Sequence, residues 1–208
     1  MSTDTALTPI EAPSTGGPSE CGDSGRKPMR ADARRNYDRL VTAARELLGA
    51  RGSEASMDEI AKAADVGVGT LYRHFPKRID LVEAVYRDDV DGLVCLAQNA
   101  DGDAWDDLVT WLRAFVRYAE SKRNFLNELH EAFEKNPNFR LDSREKLAVA
   151  TDRVLTRAQE SGQARTDIDH SDLMQLVGGM CMARNATFAN NARLLELVLD
   201  GVRTQPER

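Results

Sequence analysis

The sequence predicts an all-α protein with a small N-terminal helical unit carrying a helix-turn-helix, followed by a larger helical unit. Three observations point there. Apolar residues recur at three- and four-residue spacing through most of the chain, as one face of a helix requires. Between Ser56 and Phe75 two short helical patterns are joined by a tight turn with a glycine in it. No convincing run of strand alternation appears, and no internal repeat.

The elements follow in order. Residues 1–29 are rich in Ser, Thr, Pro and Gly, with few large apolar side chains, and are expected to stay disordered because they cannot offset their ordering entropy by burial. Residues 30–89 are expected to form the first folded unit. Its first helix places Tyr37, Leu40, Val41, Ala44, Leu47 and Leu48 inward and ends at Arg51-Gly52, with glycine just past the last turn. Ser56 with Glu59 three residues on fits a capping box, opening a helix that buries Ile60, Ala61 and Ala64. Asp65-Val66-Gly67 is the expected turn, with Gly67 closing it. The next helix starts near Val68, turns Leu71 and Phe75 inward at i, i+4, and stops at Pro76. A further helix begins near Arg78. A helical hairpin within a larger bundle has a similar pattern; the tight spacing and the polar second helix favour a DNA-binding helix-turn-helix.

Residues 90–208 are expected to form the second unit. Trp105 to Tyr118 and Phe125 to Phe133 are helical, with a break at Asn136-Pro137-Asn138. An amphipathic helix spans Leu147 to Ala158. Ser171-Asp172 caps a long apolar helix from Leu173 to about Phe188, and a last helix covers Asn191 to Val202. Gly178 and Gly179 sit inside that apolar helix, where each costs about 1 kcal/mol against alanine. Close packing or ligand access would justify them.

Composition narrows the functional classes. The chain has 208 residues and a formal net charge of −6, with 41% hydrophobic and 30% charged residues. That suits a folded domain with a real core. The charge is uneven: residues 30–81 are slightly basic and residues 90–208 acidic. No apolar run approaches the roughly 18 residues a membrane span needs, and the N-terminus lacks the pattern of a secretory signal. A cytoplasmic protein is expected. Cys21, Cys95 and Cys181 are too far apart for a zinc site or a disulfide framework and are expected to be reduced thiols. His74, His130 and His170 are scattered. There is no GxSxG, HExxH or P-loop, and Gly67 and Gly69 lack the third glycine and the preceding strand of a dinucleotide site. An enzyme is not expected, nor a cofactor, nor a metal.

The stretch SMDEIAKAADVGVGTLYRHFPKRIDL, Ser56 to Leu81, resembles the TetR family of bacterial transcriptional regulators. The shared features are the Ile-Ala-x-x-Ala helix, the Gly-Thr-Leu-Tyr-x-x-Phe recognition helix, and a basic residue after the Phe-Pro pair. The form VGVGTLYRHF looks like an actinobacterial branch of that family. The resemblance implies a homodimer that binds a near-palindromic operator in double-stranded DNA, usually as a repressor, and a small-molecule effector held in the second unit.

Under that implication the recognition helix enters the major groove with its N-terminal residues at base edges. Val68 is placed to meet a thymine methyl, Gly69 to let the backbone approach, and Thr70 to donate to a phosphate or a base. Tyr72 matches the family tyrosine that binds a backbone phosphate. Arg73 has the bidentate fork that reads guanine. His74 lies near the phosphates in related proteins, and Lys77 and Arg78 are expected to hold a phosphate at the next helix start. Ser56 is a cap that also stands near a phosphate. Arg34 and Arg35 are either an ordinary solvated face or contacts to the DNA backbone or minor groove.

The larger unit carries the aromatics. Trp111, Phe115, Tyr118, Phe125, Leu129 and Phe133, with Met174 and Met182, are either plain core or the lining of an effector cavity, and spacing does not separate the two. Arg113, Glu128, His130 and Arg184 are candidate polar anchors. The last two helices are the expected dimer surface, pairing as a four-helix bundle. The alternative is a DNA-binding regulator that answers to oxidation of Cys95 or Cys181, or to a protein partner, and not to a small molecule.

Overall fold

The structure is a computed structural model that describes residues 31–183 and 186–204. The expectations for residues 1–29 and for Arg184 lie outside the described residues. Within them the chain forms α1 (Ala31–Arg51), a 3-10 turn at Gly52–Glu54, α2 (Met57–Ala63), α3 (Val68–His74) and α4 (Arg78–Gln98). There follow α5 (Ala104–Lys122), a second 3-10 turn at Arg123–Phe125, α6 (Leu126–Lys135), α7 (Pro137–Glu160), α8 (His170–Met182) and α9 (Phe188–Val202). The one extended pairing described is an isolated antiparallel bridge between Ala164 and Arg203, which ties the end of α9 to the turn after α7.

The local chemistry explains the ends. Gly52 stops α1 at a φ of +58°, and a β-carbon there would lie 2.0 Å from the Asn124 carbonyl oxygen, so glycine is required twice over. Ser56 caps α2: its Oγ accepts from the Glu59 amide at 3.2 Å, and the Glu59 carboxylate accepts from the Ser56 amide at 2.9 Å. Those bonds, with Arg51 beside them, hold the Glu59 carboxyl down at about 2.

The turn between α2 and α3 differs from expectation. The left-handed residue is Asp65, at φ +52°, and not Gly67. The Asp65 amide donates to the Lys62 carbonyl at 3.2 Å and the Val66 amide to the Ala61 carbonyl at 3.0 Å, the paired bonds of a Schellman ending. Gly67 has ordinary extended backbone, at φ −60° and ψ 138°, and precedes α3 as its cap. A short polar side chain such as aspartate tolerates the left-handed conformation, which is why no glycine is needed.

Two further expectations meet the helix bounds. The division expected between residues 89 and 90 falls inside α4, which runs unbroken from Arg78 to Gln98. Its buried residues Leu81, Val82 and Val85 belong to the same core as Val90, Leu93 and Ala97. The helix expected to run from Leu173 to Phe188 ends at Met182; Asp169 and Asp172 form its capping box, and Thr187 caps the next helix at Phe188. Asn136 caps α7, with Pro137 at its first position, where a missing amide proton does no harm.

The core is continuous from α1 to α9. Leu40, Leu48, Ile60, Leu71, Trp111, Leu112, Leu155 and Leu173 are almost fully buried. Trp111 stacks on Phe115 with ring centres 5.7 Å apart and donates its Nε1 proton to the Leu93 carbonyl at 2.9 Å. Tyr86, Phe133 and Phe139 form an edge-on cluster between α4, α6 and α7.

Candidate nucleic-acid interface

The helix-turn-helix splits its residues cleanly. Leu71 and Phe75 are buried, at 0% and 3% exposure, and Tyr37 of α1 closes over Phe75 at 5.1 Å between ring centres. On the other side Val68 and Tyr72 are 41% and 45% exposed, and Gly69 and Arg73 are exposed beside them. Val68 and Tyr72, one turn apart, thus leave apolar and aromatic surface in solvent along α3. A β-carbon at Gly69 would meet nothing within 4 Å, so the protein's own packing does not demand glycine there.

Arg73 lies back along α3. Its Nε donates to the Gly69 carbonyl at 3.2 Å and its Nη2 to the Thr70 Oγ at 2.7 Å. Thr70 is half-buried. His74 is half-buried too, edge-on to Tyr37 at 6.0 Å; burial first, then the charge of Arg73, lowers its pKa and favours the neutral ring. Lys77 begins the approach to α4 with its side chain exposed, and its amide is held by Asp80 at 2.9 Å. Ser56 is exposed at the head of α2, its oxygen engaged in the capping box. Arg34 and Arg35 are exposed on the first turns of α1, and Arg35 pairs with Asp32. Arg39, one turn on, reaches Asn36 at 2.6 Å and Asp65 of the turn at 3.6 Å.

Arg78 stands apart from the other residues expected to touch DNA. Its guanidinium points into the protein. Nε lies 3.2 Å from both carboxylate oxygens of Glu128 in α6, Nη2 donates to the Gly52 carbonyl at 3.0 Å, and Nη1 donates to the Ala55 carbonyl. A guanidinium with all three nitrogens engaged inside is a clamp between α4, the turn after α1, and α6. The guanidinium expected to hold a phosphate is thus turned inward, and Glu128, expected as a ligand anchor, is its partner.

A second ionic junction went unseen in the sequence. Arg45 of α1 donates to Asp89 at 2.5 Å and to Asp88, and Asp89 also accepts from Lys122 of α5. Lys122 is 3% exposed and sits over the Tyr118 ring at 4.6 Å. Its burial lowers its pKa, and Asp89 offsets part of that. The adjacent pair Asp88-Asp89 was the available signal, but nothing in the sequence says which cations fold onto it.

The residues expected to line an effector site divide. Trp111, Phe115, Phe125 and Leu129 are buried core side chains and border neither of the two clefts described next. Phe133 and Met174 are half-buried against that core, and Met182 is 47% exposed at the end of α8. Tyr118 lines a cleft of about 430 Å³ between α4 and α5, next to Asp88 and Asp89. A larger cleft of about 600 Å³ lies between α4 and α7, with Val90, Val94, Phe139 and Val149 among charged residues such as Arg87 and Lys146. Arg113 and His130, offered as anchors, are exposed and pair with Glu196 and Glu134.

The cysteines differ from one another. Cys181 is buried, and its thiol is pushed up to about 11 by that burial, with the charge of Glu120 adding to it. That is the opposite of a reactive thiolate. Cys95 is disulfide-bonded, against the expectation of three reduced thiols. Among the described residues no helix is long and apolar enough to cross a membrane.

Comparison with known proteins agrees with this architecture. Residues 40–85 match the family described as bacterial regulatory proteins of the tetR family, and residues 103–204 match the C-terminal domain of SbtR-like transcriptional regulators. A TetR transcriptional regulator from Streptomyces coelicolor superposes with a TM-score of 0.73 at 32% identity, covering 82% of this chain and 99% of that one. A TetR transcription regulatory protein from Mycobacterium vanbaalenii does so with a TM-score of 0.68 at 29% identity, covering 85% and 100%. HTH-type transcriptional regulators of Staphylococcus aureus are 44% identical over 64 residues, a match of 30% of this chain and 35% of theirs. The chain therefore spans about a third of the length of those curated relatives. The fold, the helix-turn-helix and these likenesses agree: the chain belongs to the TetR family, and is a DNA-binding transcription regulator and not an enzyme.

Proposed function

We propose that the protein is a homodimeric repressor that acts in the cytoplasm, binds a near-palindromic operator through two copies of α3, and leaves it when a small apolar or amphipathic molecule binds. The observation that carries this reading is the split face of α3. Leu71 and Phe75 fasten the helix while Val68, Gly69, Tyr72 and Arg73 face solvent, with Lys77 exposed just beyond. These are the residue types that meet thymine methyls, phosphates and guanine. Arg34, Arg35, Ser56, Thr70 and His74 border the same surface as candidate backbone contacts.

Dimerisation through α8 and α9 is supported by Leu176, Met182, Phe188 and Leu197, which are 56%, 47%, 71% and 59% exposed. Gly178 and Gly179 have open space where a β-carbon would stand, so no contact among the described residues accounts for them, whereas the close approach of a second copy would. The α4–α7 cleft is the better effector site of the two. Its volume lies within the range of small-molecule sites, and Val90, Val94, Phe139 and Val149 stand there among charged side chains such as Arg87, Asp91 and Lys146, a mixture that suits an amphipathic ligand. α4 also carries the DNA-binding unit at its other end, so a ligand that parts α4 from α7 would shift the spacing of the two recognition helices.

In vitro selection of bound duplexes from a random pool tests the DNA reading. The expected product is an inverted repeat with half-site centres about one helical turn apart or slightly more. A pool that enriches no shared sequence overturns it. Screening amphipathic compounds for loss of the selected complex tests the effector: release that Val94→Trp in the cleft abolishes supports the α4–α7 site, and release that survives V94W moves the ligand elsewhere.

A further inference from the structure

Arg73 is not a free arm on the surface of α3. An arginine that reads bases from a helix usually has many rotamers to choose among, and loses that freedom on binding. Here two donors on one edge of the guanidinium are already held by its own helix: Nε by the Gly69 carbonyl at 3.2 Å and Nη2 by the Thr70 hydroxyl oxygen at 2.7 Å. The spacing makes this possible, because residues three and four apart share a helix face. Two bonds from different nitrogens fix both the direction of the side chain and the plane of the fork. Of the five N–H groups, three remain, with the Nη1 pair among them.

Thr70 is suited to this task in ways other residues are not. It is half-buried, and its amide donates to the Gly67 carbonyl at 2.8 Å, so its backbone is fixed within the first turn of α3. A β-branched side chain has few χ1 choices. Its hydroxyl accepts from Arg73, which leaves its own proton for another acceptor. Gly69 contributes a carbonyl and no side chain, so nothing at that position stands between Arg73 and an approaching base edge.

We propose that Thr70 is a positioning residue for Arg73: its hydroxyl sets the plane of the guanidinium and through it the base preference at one position of each half-site. This rests on the reading that Arg73 contacts a base. It assigns Thr70 a part in specificity, distinct from the sequence-blind phosphate contact that a hydroxyl at the edge of a groove also permits.

The test compares the full-length wild type with Arg73→Ala, Thr70→Val and Thr70→Ser by selection from a random duplex pool. Salt titrations on the wild-type consensus follow. R73A is expected to lose preference for guanine at one position per half-site. T70V is expected to lose preference at that same position by roughly ten-fold, with the wild-type salt slope, while T70S keeps it. Adding T70V to R73A changes nothing further. The proposal is overturned if T70V keeps the guanine preference, whether it binds as wild type or binds all sequences more weakly with a shallower salt slope, as a lost phosphate contact would. If R73A keeps every preference of the wild type, the reading of Arg73 fails, and the role of Thr70 fails with it. Should R73A bind too weakly to select, Arg73→Lys retains the charge and lacks the fork, and the same loss at one position is expected.

Discussion

Arg78 and Glu128 are fifty residues apart and lie in α4 and α6, yet the Arg78 Nε sits 3.2 Å from both Glu128 carboxylate oxygens. The same guanidinium holds the Gly52 carbonyl at 3.0 Å, at the end of α1. One side chain thus joins the start of α4, the corner that carries the DNA-binding helices, and the second unit. Both members are about three-quarters buried, with side-chain exposures of 26% and 21%.

This placement predicts how Arg78→Ala behaves. A phosphate contact removed would weaken binding to all DNA alike and flatten the salt dependence. A clamp removed leaves two carbonyls and a carboxylate without their donor, and destabilises the fold by about 1–3 kcal/mol. Arg78→Ala is expected to lower the melting temperature and the operator affinity together, with the salt slope unchanged. A shallower slope by about one ion, with an unchanged melting temperature, would restore the phosphate reading.

The glycines Gly52 and Gly69 are expected to answer in opposite ways. At Gly52 the backbone is left-handed and a β-carbon would lie 2.0 Å from the Asn124 carbonyl oxygen, a backbone atom that cannot step aside cheaply. Gly52→Ala should therefore destabilise the protein by roughly 1–3 kcal/mol, seen as an earlier thermal or urea transition. At Gly69 there is open space and helical backbone, so alanine is tolerated by the fold and favoured by up to about 1 kcal/mol in helix propensity. Gly69→Ala should keep or raise the melting temperature while weakening operator binding. Unchanged operator binding would remove Gly69 from the interface.

The contrast between those two residues shows what was legible in the sequence. Helix ends written in local chemistry were readable: Ser56 with Glu59, Gly52 past α1, Asn136 before Pro137. Each depends on residues a few positions apart. The face of α3 was readable for the same reason, because i, i+4 spacing separates Leu71 and Phe75 from Tyr72 and Arg73. Asp65 in the left-handed turn was not, since glycine two positions on offered a simpler candidate. The inward turn of Arg78 was not legible because its partners, Glu128 and two carbonyls, are chosen by tertiary packing. The cleft was not legible either: Val94 looks like any buried helix face until α7 is seen not to cover it fully. Trp111 and Phe115 stack on each other in the core, and their spacing reads the same whether they line a cavity or fill it.

Acid should weaken the start of the helix-turn-helix through Glu59. Its carboxyl is held at about 2 in the folded protein, against an ordinary value of 4.5, by the Ser56 amide first and then by Arg51 and the Ser56 hydroxyl. A depressed carboxyl pKa means that the unfolded chain binds the proton first. Its stabilisation is thus present above about pH 4.5 and lost as the pH falls toward 2. Glu59→Gln keeps a side chain that can cap and removes the titration. Unfolding followed by circular dichroism should show a smaller pH dependence for E59Q between those limits. An acid profile identical to that of the wild type would mean the capping box contributes nothing there.

The exposed apolar residues of α8 and α9 predict a double substitution. Leu176 and Leu197 are 56% and 59% exposed, so neither contributes much to the fold of one chain. Burying a leucine in an interface contributes about 1.5–3 kcal/mol, and a symmetric dimer counts each residue twice. A glutamate at either position would have to be desolvated without a partner, which adds to the loss. Leu176→Glu with Leu197→Glu is therefore expected to weaken self-association by at least about a hundred-fold, with little change in helical content. Light scattering should then report a monomer at concentrations where the wild type is dimeric. Because one half-site contact is weak alone, operator binding should fall in the same variant while α3 is untouched. A double variant that stays dimeric would place the dimer surface elsewhere on the molecule and leave these leucines without a role.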